Sequence, residues 1–98
     1  MSNVDITRLE DEVALTRERL ELALLRGKVK LSREDRTQLH RLGELRASTH
    51  ELLDGASSVI IKAQRLKEYV QALHSFKEFL DKHTDTPELT RWFEQQGV

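Results

Sequence analysis

Six apolar residues recur at intervals of seven from the middle of the chain onward, and this spacing constrains the fold more than any other feature. A repeat of seven keeps one stripe of an α-helix apolar, and such a stripe packs against a neighbouring helix. The repeat therefore predicts helices with heptad-type packing, in which these residues form an oligomer seam that holds the bundle. We call the set the heptad seam: Leu45, Leu52, Val59, Leu66, Leu73 and Leu80.

The rest of the sequence also favours helix. It has one proline and four glycines in 98 residues, it is rich in Leu, Glu, Arg, Lys, Gln and Ala, and it lacks the alternating pattern of β-strands. A chain of this length is typical of one domain. We predict a single all-α domain over residues 1–98, built as an antiparallel helical hairpin or a three-helix bundle, plus a short C-terminal helix.

Local signals place the helix ends. Gly27 suits a C-terminal cap, Ser32 with Asp35 resembles a capping box, and Thr86 followed by Pro87 predicts the start of a last helix. At Gly55 two readings stay open: glycine and the serines after it favour a break, whereas the heptad phase continues undisturbed. The predicted helices cover about 4–26, 33–54, 58–83 and 87–96, and on the second reading 33–83 is one continuous helix.

A second apolar row on the first helix predicts self-association. Leu15, Leu22 and Leu25 lie off the face made by Ile6, Leu9, Val13 and Leu20, so one neighbouring helix cannot cover both rows. The alternative is that the row packs on the terminal helix around Trp92 within one chain. The predicted partner-interface residues are Leu15, Leu22, Leu25, Tyr69, Trp92 and Phe93.

Residues that carry chemistry are scattered. The four histidines are His40, His50, His74 and His83, and none is three or four residues from another, as a helical metal site needs. No Gly-x-Ser-x-Gly elbow or phosphate-binding loop occurs. We therefore expect no catalytic, cofactor-binding or metal-binding residues, and no enzyme activity.

The charge balance names no nucleic-acid partner. Sixteen Lys and Arg nearly cancel seventeen Asp and Glu, and acidic residues are interleaved with the arginines near the start of the second helix. A local basic patch still supports an alternative function, that of a dimeric DNA-binding or DNA-architecture protein. This patch comprises Lys28, Lys30, Arg33, Arg36 and Arg41.

The absence of cysteine, of a basic segment followed by an apolar run, and of a long apolar stretch predicts a cytoplasmic protein with no membrane partner. Together these features favour a non-enzymatic helical protein–protein interaction module, such as an adaptor, regulator, inhibitor or assembly subunit. We expect it to act as a homo-oligomer, with a dimer favoured, and to bind another protein through exposed apolar helix faces.

Overall fold

Four α-helices account for the described part of the chain. The computed structural model describes residues 3–98, and their side chains from residue 5 onward. All of its regular secondary structure is helical. The helices are α1 (Asn3–Leu25), α2 (Arg33–Asp54), α3 (Val59–Thr84) and α4 (Pro87–Gln96).

The helix ends follow from local capping. Gly27 has a φ of 71°, a left-handed conformation that glycine adopts without the strain a Cβ would cause, and it follows α1 directly. The hydroxyl groups of Ser32, Ser58 and Thr86 accept hydrogen bonds from the N–H groups of Asp35, Ile61 and Leu89. Each bond satisfies one of the otherwise free donors in a first helical turn.

The helix breaks after Asp54, so residues 33–83 do not form the continuous helix that the heptad phase allowed. Gly55 keeps an ordinary φ of −83° and donates its N–H to the Glu51 carbonyl oxygen, 3.1 Å away. Ser58, with extended backbone, then caps α3. Two caps on either side of a short turn outweigh the uninterrupted repeat, because the repeat reports only which residues are apolar and not where the chain reverses.

Helix α3 lies between α1 and α2. It packs extensively against both of them, and the Cα atoms extend over 46 × 29 × 16 Å, so these helices lie roughly side by side. His50 lies against Tyr69 and Asp35 against His83, which shows that α2 and α3 form an antiparallel hairpin. Glu10 meets Tyr69 and Arg17 meets Phe76, so α1 runs parallel to α3.

Two apolar clusters stabilise this arrangement. The larger lies where α3 meets α1 and α2, and its side chains exclude water; full burial of one such side chain is worth about 1.5–3 kcal/mol. The smaller cluster joins α4 to the end of α1, and comprises Ala23, Leu89 and Phe93, with Val29 and Trp92 packed beside them. The buried members of the larger cluster are Ile6, Leu9, Val13, Leu20, Leu42, Tyr69, Leu73, Phe76 and Leu80.

No helix within residues 3–98 is both long enough and apolar enough to cross a bilayer.

Candidate interaction surface

The most unusual surface of the described chain is an apolar patch where α2 ends and α3 begins. Leu52 is 49% exposed, Val59 85%, Ile60 77% and Ile61 44%. We call these four residues the apolar hairpin end. Single exposed aliphatic residues are common on protein surfaces, but four of them grouped at one turn are typical of a binding surface.

Helical geometry explains why the chain's own helices leave this end uncovered. Val59, Ile60 and Ile61 are consecutive, and each step along an α-helix rotates the side chain by about 100°. The three therefore point in three directions around α3, of which one neighbouring helix can cover only one. Moreover, Glu10 of α1 contacts Tyr69 of α3, and the two helices run parallel with the same rise per residue. The described start of α1, Asn3, is seven residues before Glu10 and therefore lies level with about residue 62 of α3. The first turn of α3 therefore lies beyond Asn3, the first described residue of α1.

Charged residues of opposite sign flank the apolar hairpin end. Glu51 and Asp54 lie in the last turn of α2, which has no basic residue, whereas Lys62 lies in the first turn of α3, which has no acidic one. A helix dipole favours the opposite placement at both ends. These charges therefore gain nothing from the helix dipoles, and they make one side of the end negative and the other positive.

The heptad seam does not run as one buried stripe. Leu73 and Leu80 are fully buried in the larger cluster and Leu66 packs beside it, whereas Leu45, Leu52 and Val59 are exposed. The reason is the turn at Gly55: α2 faces α3 with Leu42 and Thr49, its buried residues, and the seam positions of α2 lie to one side of that contact. The seam thus divides into a buried half in the core and an exposed half near the turn.

The six predicted partner-interface residues also divide. Tyr69 is 1% exposed and Phe93 3%, so these two are core residues instead of parts of an open face. Trp92 and Leu22 are half-buried, and Leu15 and Leu25 are exposed. The smaller cluster joins Trp92 and Phe93 to α1 through Ala23. The second row does not pack in this cluster, because its buried members include none of Leu15, Leu22 and Leu25. Ile60 and Ile61 are not among the predicted interface residues, although the run of three β-branched residues after Ser58 was the available signal.

The five basic residues proposed for nucleic acid have different surroundings. Arg33 and Arg41 border one shallow depression with Glu34 and Thr37. Arg36 instead lines a groove toward α1. Lys28 places its ammonium nitrogen 5.9 Å from the centre of the Trp92 ring, and Lys30 is exposed in the linker between α1 and α2. The two lysines lie outside α2, so the five side chains do not line one helix.

A buried tyrosine links the three long helices. The Tyr69 hydroxyl of α3 donates a hydrogen bond to the Glu10 carboxylate of α1, and its ring lies 5.1 Å from the His50 ring of α2. The pKa of Tyr69 is raised from 10.0 to about 12. Burial is the largest cause and the hydrogen bond to Glu10 the next, whereas the nearby Arg46 lowers the pKa. The phenol is therefore neutral at physiological pH, and its hydrogen bond joins α3 to α1. We call this contact the latch.

The latch predicts a loss of stability at high pH. Because the pKa of Tyr69 is higher in the folded chain than in the unfolded one, its contribution is complete below pH 10 and is lost as pH rises toward 12. At about 1.4 kcal/mol per pKa unit, we expect the free energy of unfolding to fall by about 2–3 kcal/mol across this interval. Tyr69 is the only tyrosine in the chain, so phenolate absorbance reports its titration directly.

The matched control is Tyr69→Phe, which keeps the buried ring and removes the titrating hydroxyl. We expect this variant to show a smaller decline in stability between pH 10 and 12 than the natural chain. A phenolate midpoint near 10 in the folded protein would contradict the latch, because it would mean that neither burial nor Glu10 affects the hydroxyl.

Comparisons with known proteins return no match for this chain among family models, curated proteins or solved structures.

Proposed function

We propose that this chain is a non-enzymatic, cytoplasmic, helical protein–protein interaction module that acts as a homo-oligomer, with the apolar hairpin end as its main contact surface. The observation that carries the proposal is the exposure of Leu52, Val59, Ile60 and Ile61 at one turn. A module of this kind serves as an adaptor, regulator, inhibitor or assembly subunit, since each role requires only that one helical surface binds another.

The hydrophobic effect supplies the driving force for such binding. Each aliphatic side chain gains about 1.5–3 kcal/mol when it passes from full exposure to full burial. Val59 and Ile60, the two most exposed large apolar residues of the hairpin end, are near that full-exposure limit. Their burial against another chain would recover free energy that the fold of a single chain leaves unused.

The exposed half of the heptad seam extends this surface along α2. Leu45 is 44% exposed and lies two turns before Leu52 on the same side of the helix. A neighbouring helix that packs on Leu52 at the hairpin end can therefore continue along α2 to Leu45, as in helix-in-groove binding or completion of a helical bundle. The three-helix packing of α1, α2 and α3 would then be one half of a larger bundle.

The rest of the described chain is consistent with a scaffold for this surface. Tyr69, the residue with the most strongly raised pKa, is protonated and holds helices together. The guanidinium carbon of Arg17 in α1 lies 5.7 Å from the centre of the Phe76 ring in α3, and the guanidinium nitrogens lie near Gly43 of α2. These polar side chains tie α1, α2 and α3 to each other, which keeps the hairpin end in a fixed shape.

The direct test is Ile60→Asp, analysed by light scattering over a concentration series. A carboxylate at the centre of an apolar contact must be desolvated without a partner, so we expect self-association to weaken by more than 10-fold. Ile60 is 77% exposed, so helical content and thermal midpoint should stay close to those of the natural chain.

Gln71→Asp is the matched control, since Gln71 is exposed on the same helix and away from the hairpin end. It introduces the same charge, and we expect no change in self-association. Equal effects of both substitutions would contradict the proposal, because they would mean that net charge governs association. So would a natural chain that stays at 11.4 kDa at every concentration.

A further inference from the structure

We propose that the apolar hairpin end binds the same end of a second copy of this chain, across a two-fold axis that sets the acidic side of one copy against the basic side of the other. This inference rests on the proposed function and adds the identity of the partner and the symmetry of the contact. The juxtaposition that carries it is an apolar centre between a negative helix end and a positive one.

The negative side is the end of α2. Glu51 and Asp54 lie in its last turn and are exposed, and the free carbonyl groups of a helix C-terminus add partial negative charge. Asp54 lies 3.6 Å from His50, whereas among the described side chains no ion pair involves Glu51. The end of α2 therefore presents an acidic surface with one carboxylate available to an external cation.

The positive side is the start of α3. Lys62 lies in its first turn and is exposed, and Lys67 follows five residues later, also exposed but about 140° around the helix from Lys62. Arg65 is engaged by Glu68 at 3.1 Å, but neither lysine has an ion-pair partner among the side chains of residues 5–98. The N–H groups of the first helical turn add partial positive charge.

A surface with an apolar centre and opposite charges on its two sides is complementary to itself. A two-fold axis through the centre places the acidic side of each copy against the basic side of the other, so both charge contacts are attractive and the apolar residues meet in the middle. A translated copy would satisfy one side only and would leave the other free. The same arrangement also places the C-terminus of α2 in one chain opposite the N-terminus of α3 in the other.

The charge placement also argues against a purely structural role. Acidic residues at a helix C-terminus and a lysine at a helix N-terminus oppose the helix dipole. An isolated chain would gain stability from the reverse placement. Contact with a second copy supplies opposite charges to Glu51 and Lys62, which have no ion-pair partner among the side chains of residues 5–98.

A charge-exchange experiment tests this contact. One variant carries Glu51→Lys and Asp54→Lys, and the other carries Lys62→Glu. Each variant alone brings like charges together across the two-fold axis, and we expect its self-association, measured by light scattering at low salt, to weaken by more than 10-fold. An equimolar mixture restores opposite charges on both sides, so a 1:1 heterodimer should form with the affinity of the natural dimer to within a few-fold.

Stability provides an internal control, because the substitutions at Glu51, Asp54 and Lys62 all place charges that the helix dipoles favour. The thermal midpoint of each monomeric variant should equal or exceed that of the natural chain, so a loss of association does not arise from unfolding. A mixture that associates no better than its components overturns the two-fold contact.

The failure of this inference is distinguishable from failure of the proposed function. If Ile60→Asp abolishes self-association and the charge variants leave it unchanged, the hairpin end is the contact surface and the proposed charge pairing is wrong. If neither Ile60→Asp nor the charge variants alter self-association, the contact lies elsewhere and both proposals fail. Growth of the mixture beyond two chains also overturns the closed two-fold arrangement.

Discussion

Phe76→Ala should lower the free energy of unfolding by about 3–5 kcal/mol, the range for removal of a buried aromatic side chain from a well-packed core. Phe76 is 0% exposed and lies where the three long helices meet. The Arg17 guanidinium covers its ring, and a Cβ added at Gly43 of α2 would lie in van der Waals contact with the edge of the ring, at 3.9 Å. The cavity left by Ala would border all three helices, so no single helix can shift to fill it.

Chemical denaturation followed by circular dichroism measures this effect. Domains of this size have total stabilities of about 5–15 kcal/mol, so the substitution should remove a large part of the total. Ile60→Ala is the matched control: it shortens an apolar side chain of α3 that is 77% exposed, and in dilute solution it should change the free energy of unfolding by less than about 0.5 kcal/mol. A cost below about 1 kcal/mol for Phe76→Ala would contradict the central position of Phe76 in the core.

Phe93→Ala should detach α4 from α1, with a local loss of about 3–5 kcal/mol. Phe93 is one of three buried residues in the smaller cluster, with Ala23 and Leu89. The Arg19 guanidinium carbon lies 5.6 Å from the centre of its ring. Since α4 has only ten residues, an isolated helix of this length is marginal in water. Without Phe93, the N-terminal cap from Thr86 cannot by itself keep α4 folded.

The only tryptophan of the chain reports this detachment. Trp92 lies beside Phe93, with ring centres 5.3 Å apart, and is half-buried. We expect a red shift of its emission in Phe93→Ala, with little change in the signal of α1, α2 and α3. Gln95→Ala, at an exposed position of α4, is the control. If Phe93→Ala instead leaves the emission unchanged and abolishes self-association, Phe93 belongs to a contact between chains.

The local features of the fold could be predicted from sequence. The break after the first helix at Gly27, the cap at Ser32 and the start of α4 at Pro87 each depend on a few neighbouring residues. Capping hydrogen bonds and a left-handed glycine require only the local backbone, so their signals are present in the sequence itself. The helical content follows in the same way from propensity and from the scarcity of glycine and proline.

The heptad seam shows where such reasoning ends. Its six residues are equally spaced, yet Leu80 is fully buried and Val59 is 85% exposed. Spacing establishes that the residues share a side of a continuous helix, but it does not indicate whether a neighbour lies on that side. Once Ser58 caps a new helix, the part of the seam in α2 and the part in α3 face different surroundings. The candidate surface therefore lies at the junction of the two parts.

Tyr69 and Phe93 illustrate the same limit from the opposite direction. Both are large aromatic residues outside the seam, and a sequence cannot distinguish a core aromatic from an interface aromatic, because both are apolar and both occur at helical spacing. The sequence by itself determined the four helices, their caps and the total supply of apolar side chains. Only the tertiary structure decided which of those side chains the chain buries itself, because burial depends on where α1 and α2 lie along α3, and the first turn of α3 lies beyond the described start of α1.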